Sequence, residues 1–330
     1  MSKIRKLYYF DKKRIKEMIP FLNSKDSYIH HFMFNPLIPL HHLLPLKLKF
    51  LPESYVLKDR DKIKGLITIA PLKSANGRME IQRLFFDENC DENARELIQY
   101  VISKYKAMGA FSFIVKVNYD IPNLIKLFIS KCDFSKISHE KLWEIPVQTV
   151  KKEHYKNIRS FKNSDAHTIS TLYNESLLPH IRPLLCSSNK EFKEQLLKGL
   201  SYYTEYKYVV EDYKTKNLIG YISIKTYDGQ NYIIDVIQSS WINIDIETII
   251  AFCTQQVQKR QKHFNLYFKT KRYTQIGEKY EEIFFEHKFK CVQSQIILTN
   301  SSAQIIKEEA TSGKFTILNQ IYNLGVNVPS

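Results

Sequence analysis

The sequence predicts an α/β protein of two similar domains in tandem, each a twisted mixed β-sheet flanked by helices. Three observations lead there. Glu80 to Ala110 reads as a short apolar strand, an acidic loop, a helix and a glycine stop, and a second strand follows at once. Several short patterns of the first 150 residues return near-intact at spacings of 152 to 155 residues. The hydrophobic fraction, 44% of 330 residues, is enough to fill two cores of ordinary size.

The central unit comes first. Glu80–Phe86 (EIQRLFF) carries Ile81, Leu84, Phe85 and Phe86 with little alternation, so it is expected to be buried on both faces. Asp91, Glu92 and Asn93 start a helix with acids at the positive end of its dipole. Ala94, Leu97, Ile98, Val101, Ile102 and Tyr105 form one apolar stripe along Asn93–Met108. Gly109 ends the helix, since glycine takes the left-handed conformation cheaply. Phe111–Val117 (FSFIVKV) is the second strand, and a βαβ unit of this length makes the two strands parallel. An anionic ligand would sit where the first strand's carboxyl end meets the helix N-terminus.

Around this unit the chain reads in order. Ile4–Phe10 is a strand and Lys12–Leu22 a helix. Asn35–Leu46 (NPLIPLHHLLPL) is an apolar, proline-punctuated connection with a short helix. Tyr55–Lys58 and Lys64–Ala70 form a hairpin about a charged turn. Pro122–Lys131 is a helix, Phe134–Ile145 supplies one or two closing strands, and Pro146–Lys152 is the boundary.

The pattern then repeats. Ile4-Arg5 returns as Ile158-Arg159, Tyr55-Val56-Leu57 as Tyr208-Val209-Val210, and Gly65–Ile69 as Gly220–Ile224. The strand EIQRLFF returns as Tyr232–Gln238, followed by a helix over Asp245–Arg260 and a strand over Asn265–Lys269. A period this long is a duplicated domain rather than a solenoid unit of roughly 20–50 residues. The expected division is residues 1–148, residues 149–300, and an arm or tail over 301–330.

The formal net charge of +15 suits an anionic partner. Nucleic acid is compatible with that charge, but no nucleic-acid-binding motif stands in the sequence. Five cysteines without CxxC spacing read as reduced thiols, and the N-terminus lacks an apolar leader core. No apolar stretch approaches the ~18 residues of a membrane span. The expected location is the cytoplasm. Oligomeric state is not legible.

Each half orders its elements β-α-α-β-β-β-α-β-α-β-β, and Ile283-Phe284-Phe285-Glu286-His287-Lys288-Phe289 has the spacing of an L-Y-x-x-x-G-F signature. Leu127-Phe128 followed by Cys132-Asp133-Phe134 is its longer first-half counterpart. Order and signature together resemble the GNAT (Gcn5-related) N-acetyltransferase superfamily, over nearly all of residues 1–300, twice. The resemblance implies acetyl-CoA or another acyl-CoA as substrate, no metal, and a small-molecule or peptide amine as acceptor. In that family a Q/R-x-x-G-x-G/A loop after the fourth strand cradles the coenzyme pyrophosphate. Here those positions hold Asp91, Ala94 and Glu96 in the first half and Asn243, Ile246 and Thr248 in the second. Asp87, Glu88 and Glu92 add repulsion to the first loop, so the coenzyme is expected in the second. Its implied site is Val236, Ile237, Gln238, Ser239, Ser240, Ile242 and Asn243.

Acyl transfer to an amine needs a base, an oxyanion stabiliser and an acid for the leaving thiolate. By the resemblance, Glu80 stands eleven residues before the first loop position, where some members place a glutamate base, and Tyr232 takes that place in the second half. The usual acid is a tyrosine where this chain has Phe128 and Phe284, so Tyr119 and Tyr273 at the strand ends are its candidate substitutes. His41-His42-Leu43-Leu44-Pro45-Leu46 and His180-Ile181-Arg182-Pro183-Leu184 share H-x-x-P-L where the family lines its acceptor site, and packing of a proline-rich connection is the better explanation of both. Two other functions fit the missing glycines: an inactive tandem scaffold for an anionic or protein partner, and an aminoacyl transferase of the FemX type.

Overall fold

The structure, a computed structural model, describes residues 2–8, 11, 53–60, 62–72, 77–86, 91–146, 155, 157–194, 203–238, 241 and 244–301. The expected helix over 12–22, the segment 35–46, the boundary over 147–152 and the tail over 302–330 lie outside the described residues.

In the first half the elements are β1 (Ser2–Lys6), β2 (Glu53–Asp59), β3 (Lys62–Pro71), β4 (Arg78–Phe86), α1 (Asp91–Ala107), β5 (Ser112–Asn118), α2 (Pro122–Lys131) and β6 (Ser135–Ile145). In the second they are β7 (Ile158–Ser160), α3 (Ala166–Ser176), α4 (Arg182–Leu185), α5 (Asn189–Phe192), β8 (Thr204–Glu211), β9 (Leu218–Thr226), β10 (Asn231–Gln238), α6 (Ile246–Gln258), β11 (Asn265–Lys271), α7 (Gly277–Glu286) and β12 (Lys290–Ser301). The β2–β3 turn is tight, with Arg60 in the left-handed region at φ 51°. One long strand, β6, occupies the stretch that allowed one or two.

The strands form a single twelve-stranded sheet in the order β1-β2-β3-β4-β5-β12-β6-β11-β10-β9-β8-β7. Read from either edge, the order is the same with the halves exchanged. Two separate sheets would require each half's last strand to pair within its own half. Instead β12 lies between β5 and β6, and β6 pairs with β11. Local periodicity identifies strands but not their partners, so this exchange was not legible.

The duplication is exact in places where chemistry demands it. Arg5 makes a two-point ion pair with Asp11 (2.7 and 2.8 Å), and Tyr8 N–H donates to the same carboxylate. Arg159 and Asp165 repeat the pair (2.8 and 3.0 Å), with Lys162 N–H donating. Gly65 and Gly220 also correspond. A Cβ there would lie 2.7 Å from Leu97 Cδ1, on α1, or from Ile244 Cδ1, just before α6, so both glycines let the chain after the next strand approach the sheet closely.

Helices α1 and α2 cover one face of the first half, and α6 and α7 the same face of the second, each over its own apolar core. The opposite face carries a third core beneath α3, α4 and α5, which includes Ile114, Val209, Tyr221, Ile237 and Ile297. All six stripe residues of α1 are buried. Ile98→Ala or Val101→Ala should therefore cost on the order of 1–4 kcal/mol in lost transfer energy and residual cavity. Urea denaturation reads this as a lower midpoint, and an unchanged midpoint for both variants would contradict the packing.

Candidate functional site

Both parallel pairs open partway along. β4 pairs with β5 from Arg78 to Ile81 only, although β4 continues to Phe86. β10 pairs with β11 from Asn231 to Asp235 only, although β10 continues to Gln238. Beyond those points the backbone edge of each fourth strand faces a gap rather than a neighbour, which is the geometry for an extended ligand to add like a strand.

The openings meet one cavity of about 850 Å³ on the face covered by α3 and α5. Its floor is the sheet from β4 to β8, and Tyr173, Leu185 and Phe192 form part of its roof. Arg78 ties the halves together here, donating to Leu184 O at 3.1 Å and to Cys186 Sγ at 3.6 Å.

Ionised side chains alternate across this floor. Lys116 Nζ holds both oxygens of Glu140 (2.9 and 3.0 Å), and Tyr273 O–H donates to Glu140 Oε1 at 2.6 Å. Asp235 is bracketed by Lys269 (2.9 Å) and Lys271. Glu205 lies between Lys225 (3.4 Å) and Lys207 (3.6 Å) and accepts from Ser223 Oγ at 2.6 Å. Burial by itself would raise the Glu140 carboxyl. Lys116, Lys269, the Tyr273 hydroxyl and Lys271 outweigh it and bring Glu140 down to about 2. Burial also opposes ionisation of Asp235 and Glu205, and their lysines again win, so both sit below the usual carboxylate range. Three carboxylates held this firmly are poor bases at neutral pH.

Glu80 differs. It lines the same cavity one residue before β4 leaves β5, it is half-buried, and it makes no hydrogen bond or ion pair with any described residue. The second half has no counterpart. A bulge at Gln82 adds one residue to β4, because Thr68 pairs with Arg83 while Ile69 pairs with Ile81. That bulge moves Glu80 into correspondence with Ile233, not Tyr232, and a one-residue step reverses the face. Tyr232 accordingly points into the second core against Phe264, 3% exposed.

The two candidate acids separate as well. Tyr273 is buried in the cavity wall, and burial followed by Glu140 pushes its ionisation far above the ordinary tyrosine value. Tyr119 is exposed at the end of β5, where Lys136 Nζ donates to its hydroxyl at 2.9 Å. Sequence reasoning passed over Tyr280, hidden in the apolar stripe one turn before Phe284. Its O–H donates to Gln238 Oε1 at 2.6 Å, at the end of β10, with both residues buried.

Of the expected coenzyme residues, Val236, Ile237 and Gln238 are described and buried, while Ser239, Ser240, Ile242 and Asn243 lie outside the described residues. Contacts crowd the second opening. Gln238 is bonded to Tyr280, and Leu177 bridges Thr274 just past the end of β11. Asp245 caps α6, accepting from Glu247 N–H (3.3 Å) and Thr248 N–H (2.9 Å), so two donors that would face a pyrophosphate already hold a carboxylate. In the first half the loop over 87–90 lies outside the described residues. The acids that begin α1 are partly offset there, Asp91 by Lys131 (3.3 Å) and Glu92 by Arg95 (3.4 Å). β4 and β10 are five strand steps apart, roughly 24 Å at ordinary strand spacing, so Glu80 cannot serve a thioester at Val236–Gln238.

Among the described residues no three His, Cys, Asp or Glu side chains cluster as metal ligands, and no helix is long and apolar enough to cross a membrane.

Solved structures share this architecture. A tandem GNAT protein from the clavulanic acid biosynthesis pathway superposes with a TM-score of 0.61 at 9% identity, over 92% of this chain and 99% of that one. A GCN5-related N-acetyltransferase from Sphaerobacter thermophilus gives 0.57 at 9% identity, over 91% and 95%. A GCN5-related glucosamine N-acetyltransferase region of a fungal multi-domain β-N-acetylglucosaminidase gives 0.58 at 12% identity, over 91% of this chain and 38% of that one. No family model and no curated protein matches the sequence. At these identities the likeness establishes the fold: this chain has the tandem GNAT fold.

Proposed function

We propose that the chain is an N-acyltransferase that moves an acyl group from acetyl-CoA or another acyl-CoA to the amine of a small molecule or peptide. Glu80 carries this reading, as a carboxylate without a described partner, on the cavity wall, beside the first opening. The reading therefore moves the chemistry from the second half to the first. Glu80 accepts a proton from the acceptor ammonium. The freed amine attacks the thioester carbonyl, a C–N bond forms, and the C–S bond breaks as the thiolate leaves. The backbone of β4 beyond Ile81 supplies the edge along which the donor lies. The attacking nitrogen loses its second proton as the amide forms, and, with Phe128 where a tyrosine acid is usual, water carries that proton to the leaving thiolate. Residues 1–148 and 149–300 are the two domains of this reading, though their sheet closes across the boundary.

A second reading, a binding protein without transfer activity, is favoured by the Asp245 cap and the Gln238–Tyr280 bond. Titration of acetyl-CoA separates the two. Saturation at a hundred times Kd adds about 2.7 kcal/mol and should raise the melting temperature. We expect binding to be lost in Asn93→Trp, at the start of α1, and kept in Asn243→Trp. Glu80→Gln should bind the donor normally and slow transfer about 10²–10⁴-fold. The opposite pattern for the two tryptophan variants returns the site to the second half. No response at any concentration leaves the binding protein.

A further inference from the structure

The second-half end of the cavity has an excess of positive charge that the chemistry above does not use. Among the described residues, Lys207, Lys225, Lys269 and Lys271 pair with Glu205 and Asp235, and Lys269 and Lys271 also face the Glu140 that Lys116 holds, so these five lysines share three carboxylates. All five line the cavity. Lys225 and Lys269 show the most surface there, with side chains 34% and 26% accessible, against 13% for Lys207 and 9% for Lys271. The strand register sets this spacing. Lys225 lies opposite Ile233, two residues from the Asp235 that pairs with Lys269, so both ammonium groups rise from one patch of floor. Tyr203 and Tyr227 wall the patch edge to face at 5.7 Å, and Lys225 lies 5.6 Å over the Tyr203 ring. Burial favours the neutral amine in each lysine, yet Glu205 holds Lys225 charged, Asp235 and Glu140 hold Lys269 charged, and the two ammonium groups repel each other.

We propose that this corner of the second half, between Lys225 and Lys269 under Tyr203 and Tyr227, is a binding site for a compact oxyanion, a carboxylate or phosphate group of a small molecule. An oxyanion relieves the repulsion of two cations in a walled cavity, where their field is screened less than on an open surface. Lysine suits the purpose as a point charge with three donors. The corner is four to six strand steps from β4, roughly 19–29 Å from Glu80, so it is a site separate from acyl transfer and does not depend on it.

The test is calorimetric titration of the full chain with inorganic phosphate and with succinate, against sodium chloride at equal ionic strength. We expect saturable binding of at least one of the two. Phosphate alone marks phosphate esters as the natural class, succinate alone marks carboxylates, and both together mark oxyanions generally. Lys225→Gln, which leaves Glu205 its contact with Lys207, should weaken binding at least about tenfold, and Lys225→Arg should restore most of it. Lys269→Gln, which leaves Asp235 its bond to Lys271, is the second variant and should show the same loss with the fold intact by circular dichroism. Heats no greater than those of chloride, or unchanged affinity in both glutamine variants, would overturn the site.

Discussion

Gly277→Ala is expected to destabilise the protein by about 3 kcal/mol or more, the upper end of what an added methyl costs in a packed site. The reason is steric and local. A Cβ on Gly277 would lie 1.9 Å from Lys271 O and 2.6 Å from Lys271 C, both backbone atoms that no rotamer change can move. That carbonyl is already fixed at the end of β11, where it accepts from Thr274 N–H (3.0 Å) and Thr274 Oγ1 (2.8 Å). Relief requires lifting the start of α7 off the strand. Helix α7 brings Tyr280 and Phe284 into the second core, where Phe284 touches Trp143, Phe268 and Phe289. Gly109→Ala is the control. Gly109 has φ +93° but nothing within 4 Å of a Cβ, so its replacement carries only the conformational penalty of roughly 1 kcal/mol. Urea denaturation of both variants separates the terms. A Gly277→Ala protein no less stable than Gly109→Ala would mean that α7 does not start where it is placed.

The same junction shows where sequence reading reaches and where it stops. The βαβ units were legible because a helix stripe and a glycine stop are local signals. Observed α1, Asp91–Ala107, lies within two residues of the helix read from its pattern, and α2 coincides with its own. Gly277 looked unremarkable, since its role depends on a carbonyl six residues upstream meeting a helix start. The fourth strand was legible, but the second-half counterpart of Glu80 was misaligned by the bulge at Gln82, which shows in pairing and not in spacing. The charged floor was also hidden. Lys269, Lys271 and Asp235 alternate along their strands as a solvated face would, and only the roof of α3 to α5 makes that face interior. One signal could have been used. Arg5 and Asp11 recur as Arg159 and Asp165 at identical spacing, and in both halves that pair forms.

Glu140→Gln is expected to cost about 3 kcal/mol at pH 7, about half of that at pH 3 and little at pH 2. Glu140 lies on β6, buried in the middle of the twelve-stranded sheet, and serves strands of both halves. Lys116 comes from β5 and Tyr273 follows β11. Removing the carboxylate leaves Lys116 without its ion pair, and breaking a buried pair from one side typically costs 3–5 kcal/mol. Lys116 keeps some access to water, which favours the lower figure. The pH dependence follows from the same contacts. The folded-state value of about 2 is below the ordinary glutamate value of ~4.3, so the fold binds the charged form preferentially. That contribution is complete above pH ~4.3 and is lost as pH falls toward about 2, and two units of difference correspond to about 3 kcal/mol. Asp235, shifted in the same direction, adds acid sensitivity that wild type and variant share. Urea midpoints measured from pH 7 to pH 2.5 should therefore start well apart and converge. A gap that stays constant down to pH 3 would show that the Glu140 carboxylate is not held ionised by Lys116, Lys269 and Tyr273.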